Sequence, residues 1–244
     1  MFKTFFIATG LLFGFCGGLV SSALALPVEE ANQKLKVLPL FLLTDKNGSL
    51  IQNKVEASDG GIQYVSPVFT EISLAELRMK NLISQSNLQD LRIFTTNMAE
   101  LGKIKETAQK ALNEKLGASI RKEEVLFPVV VKESTRQAVA EIHAKNADNA
   151  NKDLISQGIP IFYASPMLNT GTGDVAGIPK GKDLFFFRIE QLRAILNGIP
   201  NQDVAKEVVV KAARLSDVIR LIVSEENDRY YFYPSPDYIR QNNL

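Results

Sequence analysis

The sequence contains one pattern twice, and a fold that accommodates it has to build the same piece two times. Leu38-Pro39-Leu40-Phe41, within VLPLFLLTDKNGSLIQ, is matched by Ile159-Pro160-Ile161-Phe162 at an offset of 121 (159 minus 38). Phe69-Thr70-Glu71-Ile72 is matched by Phe186-Phe187-Arg188-Ile189 at an offset of 117 (186 minus 69). That second offset then holds, because Ile93 meets Val210 and Met98-Ala99-Glu100-Leu101 meets Leu215-Ser216-Asp217-Val218. A looser pairing sets FPVVVKEST from Phe127 against YFYPSPDYI from Tyr231. Four matches in the same order describe a duplicated unit.

Each unit reads as strand, turn, strand, loop, strand, helix, strand, helix, strand. Leu38 to Leu43 is an apolar run of strand length, and Asp45-Lys46-Asn47-Gly48 predicts a type I′ hairpin turn, because Asn-Gly accepts positive φ. A second strand is expected from Leu50 to Val55, a break at Ser58-Asp59-Gly60-Gly61, and a third strand over Tyr64 to Phe69. Ser73-Leu74-Ala75-Glu76 has capping-box spacing and predicts a helix that carries Leu74, Leu77, Met79 and Leu82 to about Leu88. After a strand at Leu91 to Thr95, Met98, Leu101, Ile104, Ala108, Leu112 and Leu116 recur at helical steps until Gly117. Val125 to Val131 is expected as a strand, and Ser134-Thr135-Arg136-Gln137 as the cap of a further helix. In the second unit Ser235-Pro236 marks a helix start.

The pattern is that of an α/β (α+β) chain of two pseudo-symmetric repeats of strands and amphipathic helices. Residues 26–143 form the first repeat unit, the polar stretch 144–157 a linker, and 158–244 the second unit. Residues 1–25 read as a signal peptide, with Lys3 as the positive region, Thr4 to Val20 as the apolar region, and Ala23 and Ala25 as the cleavage site. A membrane anchor is the weaker reading of this segment, since it is short and ends in small residues. Export to a periplasm follows from the signal reading, with the plastid envelope intermembrane space as the alternative. Cleavage there would remove Cys16, the single cysteine, so the mature chain would hold itself together by its core alone.

Chemistry is sparse. One histidine, His143, falls on the helix expected after Ser134, and no serine elbow is present to pair with it. One His and no mature Cys leave no metal set, so no metal and no cofactor is expected. Gly171-Thr172-Gly173-Asp174-Val175-Ala176 has dinucleotide-fingerprint spacing, but Gly177, Pro179 and Gly181 follow where a helix must begin. With 28 basic and 27 acidic residues and no basic run, nucleic acid is not expected as a partner. The chain is not expected to be an enzyme.

The remaining signal is apolar. Leu40-Phe41-Leu42-Leu43, Phe185-Phe186-Phe187 and Tyr230-Tyr231-Phe232-Tyr233 exceed what strands buried on one face require. They are either central strands covered by helices on both sides, or walls of an open groove able to hold another polypeptide.

The apolar-Pro-apolar-Phe start of each half, PVF at Pro67 and LFFF at Leu184 leading into helices, and the duplicated order behind a secretory signal together resemble the twenty-two-kilodalton Tic family. That family comprises a chloroplast import component of the envelope intermembrane space and periplasmic relatives. The resemblance implies a two-lobed molecule with an apolar groove on each repeat. It also implies a chaperone-like role in protein transport, escorting preproteins or outer-membrane proteins across an aqueous gap. Phe41, Phe69, Phe162, Phe186 and Phe187 are then the expected client-binding residues, and unfolded or extended proteins the partners. The alternative is a non-catalytic adaptor docked on a membrane translocon or outer-membrane assembly machine.

Overall fold

The computed structural model describes residues 30, 33–86, 88, 90–116, 123–145, 158–168, 181–199, 207–224 and 229–243. The signal and cleavage residues, most of the 144–157 linker, Gly117 and the 171–176 loop lie outside them. After a single 3-10 turn at Leu35–Val37, the first repeat runs β1 (Pro39–Thr44), β2 (Asn53–Glu56), β3 (Ile62–Val65), β4 (Val68–Phe69), α1 (Ile72–Gln85), β5 (Arg92–Asn97), α2 (Met98–Leu116), β6 (Glu123–Leu126), β7 (Val129–Val130) and α3 (Glu133–Lys145). The second runs β8 (Pro160–Ser165), β9 (Asp183–Phe186), α4 (Ile189–Asn197), β10 (Val209–Arg214), α5 (Leu215–Ser224), β11 (Tyr230–Tyr233) and α6 (Pro236–Asn242).

The duplication survives as duplicated hydrogen bonding. One sheet has strand order β5-β1-β4-β7 and the other β10-β8-β9-β11, so equivalent strands hold equivalent places. Phe41 pairs with Phe69 in the first sheet, and Phe162 with Phe186 in the second. The offset is 121 at β1 and β8 (160 minus 39) and 117 at α1 and α4 (189 minus 72). The last segment corrects the sequence pairing by one residue: Val129 and Phe232 are the equivalents, an offset of 103 (232 minus 129), because both stand in parallel register beside the β4 and β9 equivalents Val68 and Phe185. α3 and α6 keep that offset (236 minus 133).

Alternating side chains sort onto two faces of each sheet. Leu40, Leu42 and Val68 of the first sheet and Ile161, Phe185 and Phe232 of the second meet in one central cluster, closed by Met98 and Leu101 of α2 and Leu215, Val218 and Ile222 of α5. The outer face of the first sheet buries Phe41, Leu43 and Phe69 under α1. The outer face of the second buries Phe162, Ala164, Leu184 and Phe186 under α4 and also under α3. α3 therefore follows the first repeat in sequence but packs on the second through Ala138, Val139 and Ile142.

Three local expectations change. At Asp45–Ser49 only Gly48 takes positive φ (82°), so the turn is not type I′; Gly48 N–H donates to the Asp45 carbonyl, and the Asp45 carboxylate accepts from the Asn47 and Ser49 N–H groups at 2.8 Å. Hydrogen bonding from the Ser49 backbone, more than any other contact, holds the Asp45 carboxyl below its ordinary value. The expected third and closing strands are each cut in two, β3 from β4 and β6 from β7. Pro67 and Pro128 stand opposite each other at the cut, neither with an N–H to give, and the parallel ladder bends there from a small β2-β3-β6 sheet into the main one. Finally, neither expected capping box forms: α1 starts at Ile72 with Glu71 as N-cap and α3 starts at Glu133, and α1 ends at Gln85 with Leu77 exposed rather than in the stripe. Ser235 does cap α6, its hydroxyl accepting from the Tyr238 N–H.

Glu71 makes no capping hydrogen bond because its carboxylate is used elsewhere. It binds the Arg188 guanidinium at 3.2 Å, and Arg188 is the N-cap of α4, the equivalent position of the other repeat. Arg188 also reaches Asp237 at 3.0 Å, and Asp237 is closed from its far side by Arg240. Glu71 and Asp237 are buried, so the charges at this junction have little water to fall back on. Leu38 and Ile159, Thr70 and Phe187, and Glu71 and Arg188, three symmetry-related pairs, line a cavity of about 20 Å³ there. The two repeats therefore meet here through equivalent positions.

Two stability measurements test this architecture. Phe41→Ala and Phe186→Ala should each cost about 3–5 kcal/mol in urea denaturation, as core residues do, whereas groove residues would cost little. Arg188→Ala should cost about 3–5 kcal/mol by leaving the buried Glu71 carboxylate without its base and Asp237 with Arg240 alone, and the loss should shrink in a Glu71→Gln background.

Candidate functional site

All five phenylalanines expected to bind clients are core residues. Phe41, Phe162 and Phe186 have no exposed surface, Phe69 retains 4% and Phe187 7%. The two faces of Leu184 to Phe187 are both closed: Phe185 and Phe187 enter the central cluster and Phe186 the outer one. Phe187 stacks on Phe232 with ring centroids 5.2 Å apart, and Phe186 on Tyr233 at 5.3 Å. Of the third aromatic run, Tyr230 and Phe232 are buried and Tyr231 and Tyr233 half-buried. The long aromatic runs are thus the mark of two-sided burial.

Among the described residues no three His, Cys, Asp or Glu side chains gather as metal ligands. His143 sits on α3, half-buried, with no hydrogen-bond partner for its Nε2. Desolvation raises the Tyr231 phenol above its ordinary value, with Tyr238 and Tyr233 adding to it. Asp183, buried at the start of β9, is matched by Arg229. The Asp183–Arg229 contact ties neighbouring segments together.

Apolar surface is what the molecule offers instead. Leu77 and Ile83 of α1, Leu88 after it, and Phe94 of β5 all stand at least 40% exposed, on elements that pack against one another in the first repeat. The second repeat exposes Val209 on β10 and Leu221 on α5. Sequence reasoning placed Leu77 and Leu88 on a helix and Phe94 in a strand, and did not separate outer from inner. It also missed the Glu71–Arg188 pair, although the repeat alignment sets the two residues opposite each other, an acid matched by a base. None of the described helices is long and apolar enough to cross a membrane.

The sequence matches no family model and no curated protein. Solved structures are similar at low identity. Tic22 of Anabaena, a protein-transport protein, aligns with a TM-score of 0.64 and 14% identity over 89% of this chain and 97% of its own. Tic22 from Plasmodium falciparum aligns with a TM-score of 0.59 and 16% identity over 87% of this chain and 95% of its own. Both alignments span the two repeats, and the chain has the fold of the Tic22 proteins.

Proposed function

We propose that the chain is a Tic22-type transport protein: a non-catalytic, chaperone-like carrier of preproteins or outer-membrane proteins across the aqueous space of a cell envelope. The observation that carries this reading is the likeness of fold to Anabaena Tic22, a protein-transport protein, over nearly the whole length of both chains. The exposed apolar side chains of α1 and β5 support it, because a carrier must meet unfolded clients through surface that water covers in the free protein. The buried phenylalanines do not supply that surface in this arrangement, which moves client contact from the sheet cores to exposed side chains of the first repeat: Leu77 and Ile83 on α1, over the outer face, and Phe94 on β5, which shares the inner face with its partner Leu42.

Burying one client aromatic is worth about 2 kcal/mol, so a few such contacts give reversible binding in the micromolar range. The 1–25 segment, read as a signal peptide, would deliver the chain to a periplasm.

Two measurements test the proposal. In a light-scattering assay the protein should suppress aggregation of a denatured model client, and no suppression at a several-fold excess would defeat the carrier reading. Expressed with its first 25 residues in a bacterial host, the protein should be recovered from the periplasm with Leu26 as its N-terminus, and an uncleaved N-terminus would defeat the export reading.

A further inference from the structure

Among the described residues the two repeats cover their outer faces unequally, and the difference marks a seat that none of them fills. On the second sheet α3 lies over β10, its Ala138, Val139 and Ile142 packing in the same cluster as Val210 and Ala212. Val210 pairs with Ala164 and Ala212 with Phe162. In the first sheet the equivalent pairs are Ile93 with Leu43 and Thr95 with Phe41. Here Thr95 is exposed and Ile93 half-buried.

The helix that symmetry assigns to this position is α6, and it lacks the means to cover the strand. At the offset of 103, Ala138 corresponds to Gln241 and Val139 to Asn242, both polar and both exposed. The helix then stops at Asn243, whose left-handed φ of 54° ends it.

The other wall of the strip is α1. Ala75, Met79 and Leu82 pack in the outer cluster, and Arg78 and Leu82 line a small cavity with Leu43 and Pro67. At about 100° per residue Ile83 stands on the other flank of the helix from Arg78, which by helix geometry is the flank away from Pro67. Ile83 is 48% exposed, and Leu88, leading into β5, 40%.

We propose that this strip between α1 and β5 is a docking site for an amphipathic helix of a transported protein, seated as α3 is seated on the second sheet. The occupant is defined by α3 itself. Thr135, Ala138, Val139 and Ile142 present small and β-branched side chains at i, i+3, i+4 and i+7, and a client helix with that stripe fits the same strand geometry. The proposal rests on the carrier reading and makes it asymmetric: the first repeat receives the client, while the second carries its own helix in the matching place.

The probe is a fluorescein-labelled peptide of residues 133–145, with a lactam bridge between positions 137 and 141 because a helix of this length is marginal in water. Fluorescence anisotropy with the whole protein should give a Kd at or below about 100 µM. Ile83→Asp and Thr95→Lys, both at exposed positions, should each weaken it about tenfold, whereas Val55→Asp on β2 should leave it unchanged. Circular dichroism matching the parent protein would show that each variant folds. Anisotropy that stays flat to about 1 mM protein, or binding that Ile83→Asp and Thr95→Lys leave intact, would overturn the site. If the protein still suppressed client aggregation in either case, the carrier reading would survive the loss of this site. Failure to suppress aggregation would defeat that reading however the peptide behaves.

Discussion

The structure depends on one constraint: its central strands are apolar on both faces and cannot be left with either face in water. All six residues of β1 and all four of β9 are buried. A strand of that kind needs a layer above and a layer below. The molecule supplies them by turning the inner faces of its two sheets toward a common centre, where α2 and α5 complete the cluster, and by laying α1, α3 and α4 on the outer faces. Phe41 and Phe162, the equivalent residues of the two β1-type strands, both face outward and are both fully covered. The consequence for function is direct, since the residues with the highest affinity for another chain's apolar groups are already committed to the fold.

The junction between repeats shows why the copies had to diverge. On a twofold axis each residue meets its own equivalent, so two identical copies would bring like charges together at the positions of Glu71 and Arg188. Here an acid faces a base, and the base also meets Asp237. A buried ion pair adds little net stability over an apolar contact of the same shape, but a mispaired one is expensive. A pairing of either repeat with its own copy would set like charges against each other at this point.

Much of the fold was legible in the sequence because periodicity and duplication are carried by side-chain type. The repeat offsets placed β1 against β8, α1 against α4 and α2 against α5, and the alternation along Phe185, Phe186 and Phe187 assigned their faces correctly. What stayed hidden was whatever depends on a partner far away in the chain. Ser73 and Ser134 look like helix caps locally, yet the helices begin one residue earlier, α1 with Glu71 drawn to Arg188 as its N-cap. Alternation shows that Phe41 and Phe162 lie on one face of their strands, but whether that face is open depends on where α1, α3 and α4 come to rest, which no pattern within the strand encodes. The exposed side chains of α1 and β5 were illegible for the same reason, because their exposure depends on which helix comes to lie over each sheet.

α3 crosses from the repeat it follows to the sheet of the other, and this bears on the order in which the molecule can assemble. During synthesis the first sheet and its helix α1 can close their outer face as soon as they emerge. α3 emerges next, with Ala138, Val139 and Ile142 still lacking the strands they pack on, since β8 and β10 come later. Until then the growing chain carries an uncovered amphipathic helix beside a sheet whose edge is also uncovered. The last strands resolve this by taking α3 up, so neither half reaches its final packing until both have been made.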